Sequence, residues 1–203
     1  MKTKYSVTEL NRMASGLMES QPVRIPALRD LDAEETQLSA AQAGTAMHTI
    51  MERIDFRRAL EEGLPYIESA AAQMRDKGVL TEAEYSSADL GNIAAFFMEP
   101  TGRAAALSEH LYREKEFLMQ KVVDGVPAVV QGVIDCWYED DDGLVLIDYK
   151  NSRLGPETDE ETIIGRYRDQ IRLYREALEA AQEKPVKQSW LYLFQKQAFV
   201  EVD

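Results

Sequence analysis

Two short segments put charged side chains where a strand would bury them. Gly132-Val133-Ile134-Asp135 ends an apolar run in a carboxylate, and Leu144-Val145-Leu146-Ile147-Asp148-Tyr149-Lys150 carries a second carboxylate with a lysine two residues on. Folded as a hairpin about Asp141-Asp142, the runs bring Ile134 and Asp135 opposite residues 147 and 148, so the carboxylates lie close together on adjacent strands. A shared cation would relieve their repulsion. Because side chains alternate along a strand, Asp148 and Lys150 share a face, where the ammonium can stand beside a metal-bound water or a phosphate, and Tyr149 turns into the core. Singly, these residues read as a strand end and an exposed salt bridge. Charges that break two apolar runs at paired positions need compensation, since strand interiors bury carboxylates only at a cost.

Two further segments add ligand chemistry. In Gly44-Thr45-Ala46-Met47-His48 a neutral imidazole offers nitrogen to a divalent cation, although a lone histidine among core residues is more often structural. In Tyr167-Arg168-Asp169-Gln170-Ile171-Arg172-Leu173-Tyr174, helical spacing lines up Tyr167, Gln170 and Tyr174 beside Ile171 as one hydrogen-bonding face. An amphipathic helix with tyrosines at the core boundary would read the same way. His110 has no supporting constellation. The single cysteine, Cys136, excludes an intramolecular disulfide, a CxxC zinc site and a four-cysteine iron–sulfur cluster, and reads as a buried thiol. No GxxxxGK[ST] segment is present, so no nucleotide site is expected in this chain. Glu139-Asp140-Asp141-Asp142-Gly143 lacks EF-hand spacing and reads as a solvated turn.

The elements that must position these groups follow from periodicity. SVTELNRMASGLM predicts an initial helix with Ser6 as N-cap and Glu9 completing a capping box, and the proline-punctuated QPVRIPALRD predicts a loop. From about 38 to 56 the apolar residues Ala43, Met47, Ile50, Met51 and Ile54 mark one buried helical face with His48 beside it. Helices are expected over about 58 to 76, 81 to 98 and 101 to 109. Residues 111 to 150 then become rich in β-formers, predicting antiparallel strands at about 113 to 122, 127 to 138 and 144 to 150. A loop with Gly155 and Pro156 leads to a long helix at about 160 to 182 and two closing strands, at about 188 to 194 and 198 to 202. A single domain over 1–203 is expected: helix and loop (1–35), a mainly helical part (36–110), then sheet and long helix (111–203).

Composition bounds the function. The chain carries 36 acidic against 23 basic residues, a net charge of -13, which counts against unaided capture of duplex DNA but not against a carboxylate-built metal centre. The absence of a run of roughly 18 apolar residues, and of an apolar leader, points to a cytoplasmic protein with no membrane partner.

The four segments, in this order, resemble the RecB-type branch of the PD-(D/E)XK nucleases, and within it the carboxy-terminal nuclease domain of AddA-type helicase-nucleases from bacterial AddAB complexes. The likeness runs from about Tyr5 to the last strand. It implies an α/β fold with a restriction-endonuclease-like core, a mixed central β-sheet flanked by helices and an N-terminal helical portion. It further implies metal-dependent cleavage of DNA phosphodiesters, with His48, Asp135, Asp148 and the carbonyl of Tyr149 as ligands to Mg2+ or Mn2+. Lys150 would assist water activation or stabilise the pentavalent phosphate. Gln170 and Tyr174, with Tyr167, would support the active-site helix and contact DNA. Glu114 falls where relatives often carry an acidic residue before a phenylalanine, with Glu116 as a competitor two residues away. The implied partners are DNA, as single strands delivered by a helicase portion of the same polypeptide, and an AddB-like subunit, so the chain reads as a domain excised from a larger machine, or a free-standing relative. The competing readings are a catalytically silent scaffold that binds a partner subunit or DNA, and a metal hydrolase of another phosphate ester.

Overall fold

The computed structural model describes residues 4–7, 9–10, 40–123, 125–151 and 159–203. The loop QPVRIPALRD, the initial helix beyond Leu10 and the Gly155-Pro156 loop lie outside the described residues. A short first strand, β1 (Lys4–Ser6), stands where only a helix start was expected. The capping reading holds in part, because the Ser6 hydroxyl accepts from the Glu9 N–H at 3.2 Å.

Six helices build one layer. Helix α1 (Ala40–Arg53) buries Ala46, Met47, Ile50 and Met51, and Ile54 just beyond its end is buried with them. The segment expected as one helix over 58 to 76 is two, α2 (Phe56–Glu62) and α3 (Leu64–Asp76). Gly63 separates them at φ 66°, which a side chain would disfavour, and a proline follows in the first turn of α3, where its missing N–H costs nothing. The segment at 81 to 98 is also divided, into α4 (Glu82–Ser87) and α5 (Leu90–Phe96), because Ala88 is extended and Asp89 caps a new helix through the Asn92 N–H. Helix α6 (Pro100–Leu107) closes the layer.

The meander expected at 111 to 150 is present as β2 (Leu111–Val123), β3 (Val126–Asp140) and β4 (Gly143–Lys150), antiparallel in succession. Helix α7 (Glu160–Gln182), capped by Asp159, carries the chain to β5 (Val186–Leu193), parallel to β4. A 3-10 turn (Phe194–Lys196) then leads to β6 (Ala198–Glu201), antiparallel to β5, and β1 lies parallel to β3. The six-stranded sheet is therefore mixed. Two apolar clusters cover its faces, one contributed by α1 to α6 with Cys136, Ile147 and Tyr149, the other by α7 with Trp137, Leu146 and Leu191. Helices on both faces explain why Leu144 through Ile147 form an unbroken apolar run.

One irregularity in this sheet positions the site. An unbroken pleat would put Ile134 on the same face as Cys136, yet Cys136 joins the core of the helical layer and Ile134 that of α7. The ladder runs from Arg113 opposite Cys136 to Lys115 opposite Ile134, and omits Glu114 and Asp135 between them. Glu114 has φ 47°, a left-handed conformation uncommon outside glycine. Both strands reverse facing there. Along β3, β4 pairs only with Cys136 through Asp140, on one side of the reversal, and β1 only with Val129 through Gln131, on the other.

Tight packing between α5 and α6 gives a stability test. A Cβ at Gly102 would stand 1.9 Å from the Phe96 carbonyl oxygen, whereas one at Gly165 in α7 would meet nothing within 4 Å. Gly102→Ala should lower stability in urea melts by roughly 3 kcal/mol, the upper end for overpacking. Gly165→Ala should raise it by about 0.5 to 1 kcal/mol. Equal effects of the two substitutions would contradict this packing.

Candidate active site

The interruption opposite Glu114 gathers side chains from two layers. Helix α1 presents His48 with its Nδ1 3.5 Å from Glu114 Oε1 and 3.6 Å from Asp135 Oδ1. One ligand atom from each of these three residues lies within 4.8 Å of the others. Asp135 is further held by its other oxygen, Oδ2, which accepts the Tyr149 N–H at 2.7 Å. This bond crosses from β3 to β4 just past their last ladder pair, Cys136 with Ile147, so a carboxylate fills the gap where the strands part. Tyr149 itself points into the core of the helical layer, as alternation requires, with its ring edge-on to His48 at 5.6 Å between centroids.

Asp148 and Lys150 share the opposite face of β4, toward α7. Asp148 is almost wholly buried, and its Oδ2 lies 2.5 Å from Lys150 Nζ as an ion pair. Gln170 bridges the pair: its Oε1 accepts from Lys150 Nζ at 3.2 Å, and its Nε2 faces Asp148 Oδ1 at 3.4 Å and donates to the Tyr174 hydroxyl at 2.9 Å. The Lys150 ammonium also sits 4.7 Å from the centre of the Tyr167 ring. All three polar residues of the α7 face thus surround the Asp148–Lys150 pair.

Sequence spacing leaves Glu114 and Glu116 in competition, and the structure separates them. Glu114 stands at the histidine, whereas Glu116 is exposed opposite Val133. Spacing does not distinguish them because the left-handed residue that turns the strand is not glycine.

Burial and repulsion together set the protonation of the cluster. Asp135 is raised well above the usual carboxylate range, chiefly by burial and then by Asp148, with His48, Lys150 and the Tyr149 N–H opposing. For His48, burial lowers the pKa, but Glu114, Asp135 and Asp148 outweigh it and lift the imidazole to about 8. Lys150 is likewise raised, with Asp148 and Asp135 overriding the effect of burial. Burial drives Cys136 up to about 12, in keeping with an inert core thiol.

This donor set fits a divalent cation. It offers imidazole nitrogen and carboxylate oxygen, a mixture suited to manganese and acceptable to magnesium. Two carboxylate oxygens of the cluster, Glu114 Oε1 and Asp148 Oδ2, are buried and face His48 Nδ1 at 3.5 Å and Lys150 Nζ at 2.5 Å, so each is balanced by a cationic group where a metal ion could also stand.

A mixed sheet covered on both faces, broken where three carboxylates, a histidine and a lysine converge, has the architecture of a restriction-endonuclease-like nuclease fold. The chain belongs to the PD-(D/E)XK nuclease superfamily, whose family model matches residues 20–202. It is 36% identical over 200 residues to a protein of Anoxybacillus flavithermus named as the A-type subunit of an ATP-dependent helicase/nuclease, covering 96% of this chain and 16% of that protein. Proteins of the same name from Clostridium novyi and Geobacillus thermodenitrificans are 32% and 30% identical, each covering 100% of this chain and 18% of the relative. The chain thus spans less than a fifth of the length of these curated relatives.

The protonation of the cluster gives a sign for pH dependence. A raised imidazole pKa favours the protonated, metal-free site at low pH, and that preference is lost as the pH rises through about 8. A cation needs neutral His48 and ionised Asp135. Manganese affinity should therefore increase as the pH is raised from 6.5 to about 8, by up to roughly tenfold per pH unit for each proton released. Titration calorimetry in buffers of different ionisation enthalpy should show proton release at neutral pH. Affinity independent of pH, with no protons released, would contradict this.

Proposed function

We propose that the chain is the DNA-cleaving module of an ATP-dependent helicase-nuclease that processes broken ends during recombinational repair, acting as an exonuclease on single strands. The observation that supports this best is the meeting of His48, Glu114 and Asp135 within 4.8 Å, next to the Asp148–Lys150 pair, at a break in the sheet. His48, Asp135, Asp148 and the Tyr149 carbonyl are the proposed ligands, and Glu114 adds an acidic side chain on the helical side. A cation held there, Mg2+ or Mn2+, would supply Lewis-acid stabilisation of the phosphate and lower the pKa of a water.

The side chains of this chain take defined parts in that reading. Lys150 holds its proton against Asp148 and offers the ammonium to the charge that builds on the phosphate. Gln170 keeps Asp148 and Lys150 in register, Tyr174 holds Gln170, and Tyr167 covers the ammonium. A groove of about 820 Å3 leads away from Asp135 and Tyr174 along β3, lined also by β1 and β2, past Phe117, Leu118, Gln131 and Val133. Its walls mix apolar residues with Lys4, Ser6, Glu116 and Gln131, and Phe117 offers an aromatic face to an unstacked base, whereas the net charge of -13 would repel a duplex. Delivery of the strand therefore falls to a helicase portion of the same polypeptide, with an AddB-like partner protein. Among the described residues no helix is long and apolar enough to cross a membrane, and the proposed site of action is the cytoplasm.

Cleavage of a labelled single-stranded oligonucleotide in manganese tests the reading. Asp148→Ala and Lys150→Ala should each reduce the rate on the order of 10²- to 10³-fold. Wild-type rates in both variants would overturn the mechanism. No manganese binding by calorimetry, together with no cleavage when the chain is fused to its helicase, would favour a silent scaffold instead.

A further inference from the structure

Helix α1 ends against a residue that no part of the proposed chemistry uses. The last carbonyls of a helix have no partner within it. The carbonyl of Met51 in the last turn, and that of Ile54 just beyond the helix, are both bound by Arg113 Nη1, the first at 2.9 Å, from the strand residue next to Glu114. The guanidinium also lies 4.7 Å from the centre of the Phe56 ring, which pins it from α2. A cation at this end complements the helix dipole. Arg113 faces the helical layer because it precedes the strand reversal, being paired with Cys136, which lies on that face.

The same reversal turns Glu114 toward His48. Adjacent residues of β2 therefore address one helix at two points: Arg113 at its carboxy-terminal carbonyls, and Glu114 at the imidazole of His48. His48 and Ile54 are six residues apart, about 9 Å along a helix, and less than two turns leave little room for bending. A metal centre tolerates errors of only ~0.2 Å in ligand distance. Slippage of α1 along β2 would exceed that tolerance.

We propose that Arg113 is a positioning residue for His48: by clamping the end of α1 to β2, it holds the imidazole 3.5 to 3.6 Å from Glu114 and Asp135, close enough for one cation to be shared among them. The proposal rests on the reading of this cluster as a metal site, and the sign of one measurement separates it from simple electrostatics. Removing a cation near a bound cation should tighten metal binding if charge alone matters, whereas loss of a clamp should weaken it.

The test is manganese affinity by titration calorimetry on the full chain, for wild type, Arg113→Ala, Arg113→Lys, His48→Ala and the double variant Arg113→Ala with His48→Ala. Arg113→Ala should weaken binding roughly tenfold or more, the scale of lost outer-shell support. Arg113→Lys keeps the charge and one of the two carbonyl bonds, and should fall between wild type and Arg113→Ala; it carries the comparison if the alanine variant fails to fold by circular dichroism. In the His48→Ala background, the Arg113→Ala change should have less than about a twofold effect, because its route to the metal has gone. Tighter binding in Arg113→Ala, or an equal loss with and without His48, would overturn the proposal. No binding by the wild type would instead overturn the metal reading, and this inference with it.

Discussion

Like charge held together in a nearly dry place is the constraint from which the rest of this molecule follows. Oxygens of Glu114 and Asp135 lie within 4.8 Å of one another, and two full charges at that distance repel by about 3.5 kcal/mol at an effective dielectric of ~20. Asp148 adds a third carboxylate to the same neighbourhood. The fold answers with His48 from one layer, Lys150 from the sheet and a backbone N–H from Tyr149, and it retains protons where those do not suffice. A site that stores protons in this way is one that a divalent cation can empty.

Geometry carries the remaining cost. The left-handed Glu114 stores on the order of 1 to 2 kcal/mol of backbone strain, typical of functional positions. That strain has a structural return: it reverses β2 and β3 together, frees Asp135 from the ladder, and leaves β4 to diverge with Asp148 and Lys150 facing α7. Neither layer could build the centre alone. The helical layer supplies the nitrogen, the sheet the carboxylates, and α7 the Gln170 amide and Tyr167 ring that meet the Asp148–Lys150 pair, with the Tyr174 hydroxyl holding Gln170.

Much of this is legible without coordinates. Alternation in Leu144 through Lys150 places Asp148 and Lys150 on one face and Tyr149 on the other, because a strand buried on both sides leaves little freedom of register. Helical spacing likewise puts Tyr167, Gln170 and Tyr174 on the face that meets Lys150. What escapes are features that pattern does not encode. Gly63 and Asp89 divide helices whose apolar periodicity continues across the break, and β1 is only three residues long. The strand reversal is the largest omission, since neither Glu114 nor Asp135 is a residue type that announces an irregular backbone. Without it, Arg113 reads as one more surface arginine and Glu114 as no better a candidate than Glu116.

The central claim is that His48, Asp135 and Asp148, with Glu114 beside them, form a metal centre rather than a proton-stabilised cluster. Anomalous diffraction from crystals grown with manganese locates the ion without reference to activity. One strong anomalous peak is predicted at bonding distance from His48 and Asp135, with Asp148 or Glu114 completing the set. Full-occupancy manganese elsewhere on the acidic surface, with none among these residues, would contradict it.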